Sequence, residues 1–437
     1  MTRLKLTAAS GRPFRHAASM QALIRVRPAL AVAALIVAGL CLQVGVSAAE
    51  RTAVATSGWK ATWTASPQAM MQLGPAPPPP ALKDLTIRQH VHLSAGGTQL
   101  RVRFSNEFGA QPLVIGAASV MVGASTRPLS FGGATSITLA PGAPAVSDAL
   151  EASVNAGQDL AISLYLPNET PPPTIHLTGM QKTELSQPGN FTQTRDFPIS
   201  SSNEMRWFVS AVEVTNPRAA VLVAFGDSIT DGMGSTVNAN QRWPDLLAER
   251  LRARAGGPRE IAVANQGISG NQVLKNGMGD SALARFDRDV LAVPGATHVV
   301  VMIGINDIGM PGAMLGGRAL TGPSDVAATA ADIIVGYKQL ITRAHEHGLK
   351  IFGATLTPFA GAANGYYTPQ KEVTRQAVNH WIKSGGGFDA VIDFDAATRD
   401  PQHPDRLVAS YDSGDHLHPS SAGYKVMAQA IDLSLFD

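Results

Sequence analysis

Four short stretches carry residue types that can do chemistry together. They are GDSITDG (226–232), with Ser228; NQGISGN (265–271), rich in glycine; GIND (304–307), with Asn306; and DSGDHLHP (412–419), which holds Asp412, Asp415, His416 and His418. A serine hydroxyl is a poor nucleophile until a nearby imidazole takes its proton. The imidazole needs a carboxylate that fixes its tautomer and stabilises its charged form. The attacked carbonyl becomes an oxyanion, and each donor set in place for it is worth about 2.7–4 kcal/mol of transition-state stabilisation. Glycine N–H groups donate without steric obstruction, and an asparagine amide donates from its side chain. Together these are the parts of serine acyl transfer.

The elements that must position them follow a strand–helix rhythm after Pro217. AAVLVAFG (219–226) is a continuous apolar run, as expected of a strand covered on both faces. REIAVANQG, ATHVVVMIGIND, LKIFGATLTP and FDAVIDFD supply four more strands. Helices are predicted at RWPDLLAERLRARAG, with Pro244 in its first turn, at SDVAATAADIIVGYKQLITRAHEHG, at TPQKEVTRQAVNHWIKSG and at SAGYKVMAQAIDLSLF. Five strands with helical crossovers imply a three-layer α/β/α sandwich with a mostly parallel sheet. Ligands bind such sheets beyond the carboxyl ends of the strands, where the four stretches stand.

The first half has a different grammar. TIRQHVHLSAGGTQLRVRFSN (86–106) alternates apolar and polar residues on both sides of Gly96-Gly97, which predicts a hairpin. PLVIGAASVMV, SITLAP, DLAISLYLP and MRWFVSAVEV are further β segments, separated by Gly- and Pro-rich turns. An all-β sandwich or jelly-roll-like domain is expected over 50–216, and the α/β domain over 217–437.

In order and spacing, GDSITDG, NQGISGN, GIND and DHLHP resemble the four blocks of the SGNH (GDSL-type) esterase/lipase superfamily, over about residues 220–437. WKATWTASPQ and LRVRFSNEFG resemble the β-rich domain that precedes the catalytic domain in some secreted bacterial members. The resemblance implies the flavodoxin-like SGNH hydrolase fold and hydrolysis of carboxylic esters of small alcohols, lipids or glycans, without metal or cofactor. It implies Ser228 as nucleophile, His418 as base and Asp415 as the acid that orients it. The oxyanion donors would be Ser228 N–H, Gly270 N–H rather than Gly267, and the Asn306 amide. Ile229 stands where leucine is usual and Ile305 where another glycine is common; neither touches a reacting atom.

Residues two apart in an extended segment point to one side, so geometry alone does not separate His416 from His418, and Asp412 is the rival acid. Asp227 is read as bracing the turn through backbone N–H groups. His345 and His347 near a helix C-terminus, and His380 within a helix, are read as solvated surface. AVIDFDAAT (390–398) resembles the DxD pattern of haloacid-dehalogenase-type phosphatases, but it comes too late in the chain and lacks the usual threonine, so Asp393 and Asp395 are read as closing a strand end. The loops 308–323 and 359–369 are candidates for a lid or an acyl-binding wall, Tyr366 and Tyr367 equally for stacking on a sugar. The competing reading is a carbohydrate-binding or cell-surface protein whose β half does the binding.

Arg25 and Arg27, the apolar run 29–46 and Ser47-Ala48-Ala49 predict a signal peptide over 1–49, with Met20 an alternative start. A retained membrane anchor is the rival, since the run is at the lower limit for a span. Cleavage would give a secreted or periplasmic protein with no stable span. It would also remove Cys41, the single cysteine of the 437 residues, and with it any disulfide or thiolate site. The net charge of +2 gives no footprint for a nucleic-acid partner.

Overall fold

The rhythm after Pro217 becomes five strands in the computed structural model: β1 Ala220–Gly226, β2 Ile261–Gly267, β3 Ala296–Met302, β4 Lys350–Ala354 and β5 Ala390–Ile392. Their order is β2-β1-β3-β4-β5, and every neighbouring pair is parallel. The residues described are 58–70, 82–170, 173–254, 260–315, 317–322 and 325–437. The signal-peptide reading of residues 1–49 lies outside them.

Side-chain alternation along β1 builds the layers. Val221, Val223 and Phe225 enter one core with Ile333, Tyr337 and Leu340 of helix Ala330–Glu346 and Val378 and Ile382 of helix Pro369–Lys383. Leu222 and Ala224 enter the other, with Trp243 and Leu247 of helix Trp243–Ala253 and Tyr424 and Met427 of helix Ser421–Ala430. All seven β1 residues are buried, so the strand holds its carboxyl end rigidly. The strand order reverses between β1 and β3, the point where open sheets of this order leave a crevice.

The first half forms antiparallel sheets. One runs Trp59–Thr64, Val209–Thr215, Gly97–Ser105 and Leu150–Val154, with Pro144–Val146 also on Gly97–Ser105. The other has six strands, with Leu85–His92 and Asp159–Leu166 at its centre. Val102, Phe104, Val212 and Val214 of the first share a core with Ile87, Val91, Ile162 and Leu164 of the second, which makes a sandwich.

The hairpin expected over 86–106 does not form. Leu85–His92 and Gly97–Ser105 lie in different sheets, and the residues between them cross from one to the other. Leu93 N–H donates to Gln158 C=O at 3.0 Å and Ser94 N–H to Thr62 C=O at 2.9 Å. Alternation reports one buried face per strand, and facing sheets satisfy it as well as a hairpin does. The two glycines serve close approach: a Cβ on Gly96 would come 2.6 Å from Val154 C=O, and one on Gly97 2.7 Å from Thr215 C=O.

The described residues from Gly58 to Asp437 pack as one compact unit. The β half covers the outer edge of β2, whose backbone groups would otherwise lack partners. Val263 N–H donates to Ser94 Oγ at 2.9 Å, and Thr64 Oγ donates to Asn265 C=O at 2.7 Å.

Candidate active site

At the end of β1 the chain turns sharply. Gly226 leaves no room for a Cβ, which would lie 2.2 Å from Thr230 Oγ. Asp227 is extended and caps the one-turn helix Ser228–Asp231, its Oδ1 accepting Ile229 N–H at 3.0 Å. The turn-bracing reading of Asp227 fits this bond. Its Oδ2 is buried without a partner, and burial pushes the carboxyl up to about 7. Gly232 closes the turn at φ 105°, its N–H donating to Ser228 C=O at 2.8 Å.

Ser228 Oγ lies 2.8 Å from His418 Nε2, and His418 Nδ1 lies 2.5 Å from Asp415 Oδ2. Asp415 Oδ1 also accepts the N–H groups of His418 and Leu417, at 2.8 and 3.0 Å. Partial burial pushes Asp415 up, but the bonds and charge of His418 outweigh it and hold the carboxyl well below the usual carboxylate range. The acid therefore stays an acceptor for Nδ1–H, which leaves Nε2 to face the serine.

The rival pair occupies itself. His416 Nδ1 lies 2.5 Å from Asp412 Oδ2, while Asp412 Oδ1 accepts the N–H groups of Gly414 and His416. The His416 side chain is 55 % exposed, against 10 % for His418. His416 instead lines an open cavity of about 450 Å³ with His403, Arg406 and Asp400.

Asn306 sits in the first turn of helix Ile305–Gly309, which Gly304 enters at φ 134°. Its Nδ2 donates to Asn271 C=O at 2.9 Å, and its Oδ1 accepts from Tyr366 OH at 2.7 Å. Only one amide orientation satisfies both partners, and it leaves the second Nδ2 proton uncommitted. Gly270 has φ 77°, and a Cβ there would meet Met278 Sδ at 2.5 Å. Asp307 ties the two loops, accepting Val273 N–H at 2.7 Å and Leu274 N–H at 3.0 Å; burial pushes its carboxyl up to about 6.

Gly309, Arg285 and His176 escaped the sequence reading, and Tyr366 has a different place from the one expected. Tyr366 is buried against Asn306, so it braces the amide and offers no face for a sugar. Gly309 makes its space, since a Cβ there would fall 2.2 Å from the Tyr366 ring. Arg285, buried, donates to the C=O groups of Gly226 and Gln266 at 2.8 and 2.9 Å. His176, from the β half, reaches Asp231 Oδ1 at 2.8 Å. A lone histidine in a β segment gives no signal of this kind.

The remaining candidates are accounted for locally. Asp393 caps helix Phe394–Thr398 and accepts Thr355 Oγ–H at 2.9 Å. Asp395 is paired with Arg375 and Arg399. His345 pairs with Asp389 on the surface, and His380 is exposed. Among the described residues no group of three or more His, Cys, Asp or Glu could hold a metal ion. No helix among them is long and apolar enough to cross a membrane.

Residues 224–426 match the GDSL-like Lipase/Acylhydrolase family, and this part of the chain is a domain of that family. Its parallel five-stranded sheet is the GDSL hydrolase fold, here preceded by the antiparallel β half. Similar solved structures include a GDSL-like lipase from Bacteroides thetaiotaomicron, 18% identical, covering 49% of this chain and 87% of its own, with a TM-score of 0.36. The lipase/acylhydrolase from Enterococcus faecalis is 23% identical, with coverage of 48% and 92% and a TM-score of 0.35. A catalytic mutant of an acetylxylan esterase from Geobacillus stearothermophilus is 23% identical, with coverage of 48% and 91% and a TM-score of 0.34. No curated protein matches the chain.

Proposed function

We propose that this protein is an exported serine esterase that hydrolyses carboxylic esters of small alcohols, lipids or glycans. The observation that carries the reading is the unbroken hydrogen-bonded chain Ser228 Oγ, His418, Asp415 at the carboxyl end of β1. Ser228 Oγ adds to the ester carbonyl carbon while its proton passes to His418 Nε2. Ser228 N–H, Gly270 N–H and the second Nδ2 proton of Asn306 receive the developing oxyanion. The intermediate collapses, the C–O bond to the alcohol breaks, and His418 returns the proton to the leaving oxygen. Water then attacks the acyl-serine, its proton passes through His418 back to Ser228 Oγ, and the acid departs. Asp415 stabilises the imidazolium in both halves. The basic, apolar and small-residue run of 25–49 supports export.

Ser228→Ala tests the reading. It should abolish p-nitrophenyl acetate hydrolysis and leave the unfolding transition in place, since it removes one hydroxyl. Wild-type turnover in that variant refutes the assignment.

A further inference from the structure

The β half does more than cover an edge: its polar contacts converge on the loops beside the nucleophile. His176, in the short strand Thr174–His176, is buried between the halves. Its Nδ1 faces Ser66 C=O at 3.0 Å, and its Nε2 faces Asp231 Oδ1 at 2.8 Å and Thr178 C=O at 3.2 Å. All three partners can accept, so an N–H on either ring nitrogen has a partner in place. Asp231 ends the helix that Ser228 begins, and its Oδ2 accepts both the N–H and the Oγ–H of Ser269, at 3.1 and 3.0 Å. Ser269 immediately precedes Gly270. A second route runs beside the first. Gln68 Nε2 donates to Met278 C=O at 2.6 Å, and Met278 packs on the open face of Gly270.

From this geometry we infer that His176 is a positioning residue for catalysis, acting through Asp231 and Ser269 on the Gly270 N–H. The inference rests on the esterase reading of Ser228. A buried polar contact of this kind is a poor device for mere adhesion, because well-packed apolar side chains hold an interface at least as well. It does fix direction, and direction matters where an oxyanion donor must be preset. Misplacement by about 1 Å can cost roughly 10²-fold in rate. Asp231 carries the constraint because one carboxylate spans the nucleophile's own turn and the loop of the second donor. The β half thereby supplies a part of the active site that the α/β half lacks.

His176→Leu and His176→Gln, each in the full chain, test this. The leucine variant should lose about 10- to 100-fold in kcat on p-nitrophenyl acetate, with KM within about threefold. Its inhibition constant for phenylboronic acid, a mimic of the tetrahedral adduct, should rise by a similar factor. Glutamine, which still offers a donor to Asp231, should recover part of both. A folded leucine variant with wild-type kcat and boronate affinity overturns the inference, as does a loss of kcat without loss of boronate affinity. Should the leucine variant fail to fold, Ser269→Ala, which removes only the hydroxyl bond to Asp231, decides by the same two readouts. Unchanged values there overturn it as well. Failure of the esterase reading is separate: it would show as an inactive wild type or an active Ser228→Ala.

Discussion

Tyr366→Phe removes one hydroxyl from a buried ring and leaves the packing of that ring in place. The hydroxyl donates to Asn306 Oδ1 at 2.7 Å, while Asn306 Nδ2 is held by Asn271 C=O at 2.9 Å. Without it the amide keeps one anchor of two, and a buried carbonyl oxygen is left unpaired. Losing a typical buried hydrogen bond costs about 0.5–1.5 kcal/mol net, and stranding its partner about 1–3 kcal/mol. At about 1.36 kcal/mol per tenfold change, a cost of about 1–3 kcal/mol means that kcat on p-nitrophenyl acetate should fall by roughly 5- to 160-fold, with KM nearly unchanged. Asn306→Ala deletes the proposed donor outright and should cost about 10²- to 10³-fold. The double variant should then be no worse than Asn306→Ala alone, because Tyr366 acts through the amide that is gone. If the two losses multiply instead, Tyr366 serves something other than Asn306 and the bracing argument fails. Urea unfolding of the three variants separates a loss of stability from a loss of rate.

Three other outcomes can be checked directly. Burial pushes Asp227 up to about 7, so the folded protein keeps this proton at pH values where the unfolded chain, near 3.9, has lost it. Wild-type stability should therefore fall as pH rises from about 4 to about 7 relative to Asp227→Asn, by about 2–3 kcal/mol between pH 5 and pH 8 in urea melts; parallel curves would exclude a buried, protonated Asp227. His416→Ala breaks only the exposed pair with Asp412, and its kcat on p-nitrophenyl acetate should stay within about threefold of wild type; a loss like that of a His418 variant would reverse the choice of base. Residues 217–437 expressed alone expose the β2 edge that Ser94 and Thr64 satisfy and should self-associate on size-exclusion chromatography; a stable monomer would show that the edge needs no cover.

The sequence was informative wherever one short segment decides the outcome. β1 could be read from its unbroken apolar run, and the turn that carries Ser228 from the glycine–aspartate pair that follows it. The helix starts at Pro244 and Thr368 were likewise local matters. Contacts between distant segments were a different case. Alternation at 86–106 records which face of each strand is buried but not which sheet the strand joins, so a crossing between sheets looked like a hairpin. Asp412 and Asp415 are chemically alike and both lie within reach of a histidine in the same loop. Spacing alone could not assign the partners, whereas the structure gives each carboxylate its own imidazole. Tyr366 drew notice as an aromatic near a strand end, but its inward turn depends on the missing side chain of Gly309, 57 positions away. His176 and Asp231 are 55 positions apart and belong to different halves, with no periodicity connecting them.

The two Asp–His pairs of the 412–419 loop have a practical meaning for enzyme redesign. Each carboxylate also grips main-chain N–H groups of its own loop, so the shape that aims His418 is written within eight residues and should travel as a cassette into another scaffold. The proposed amide and glycine donors have no such portability. Their placement draws on Tyr366, Asp307, Met278 and, through Asp231, a histidine from the β half, so a graft of the loop alone would import a base without a receptacle for the charge it creates.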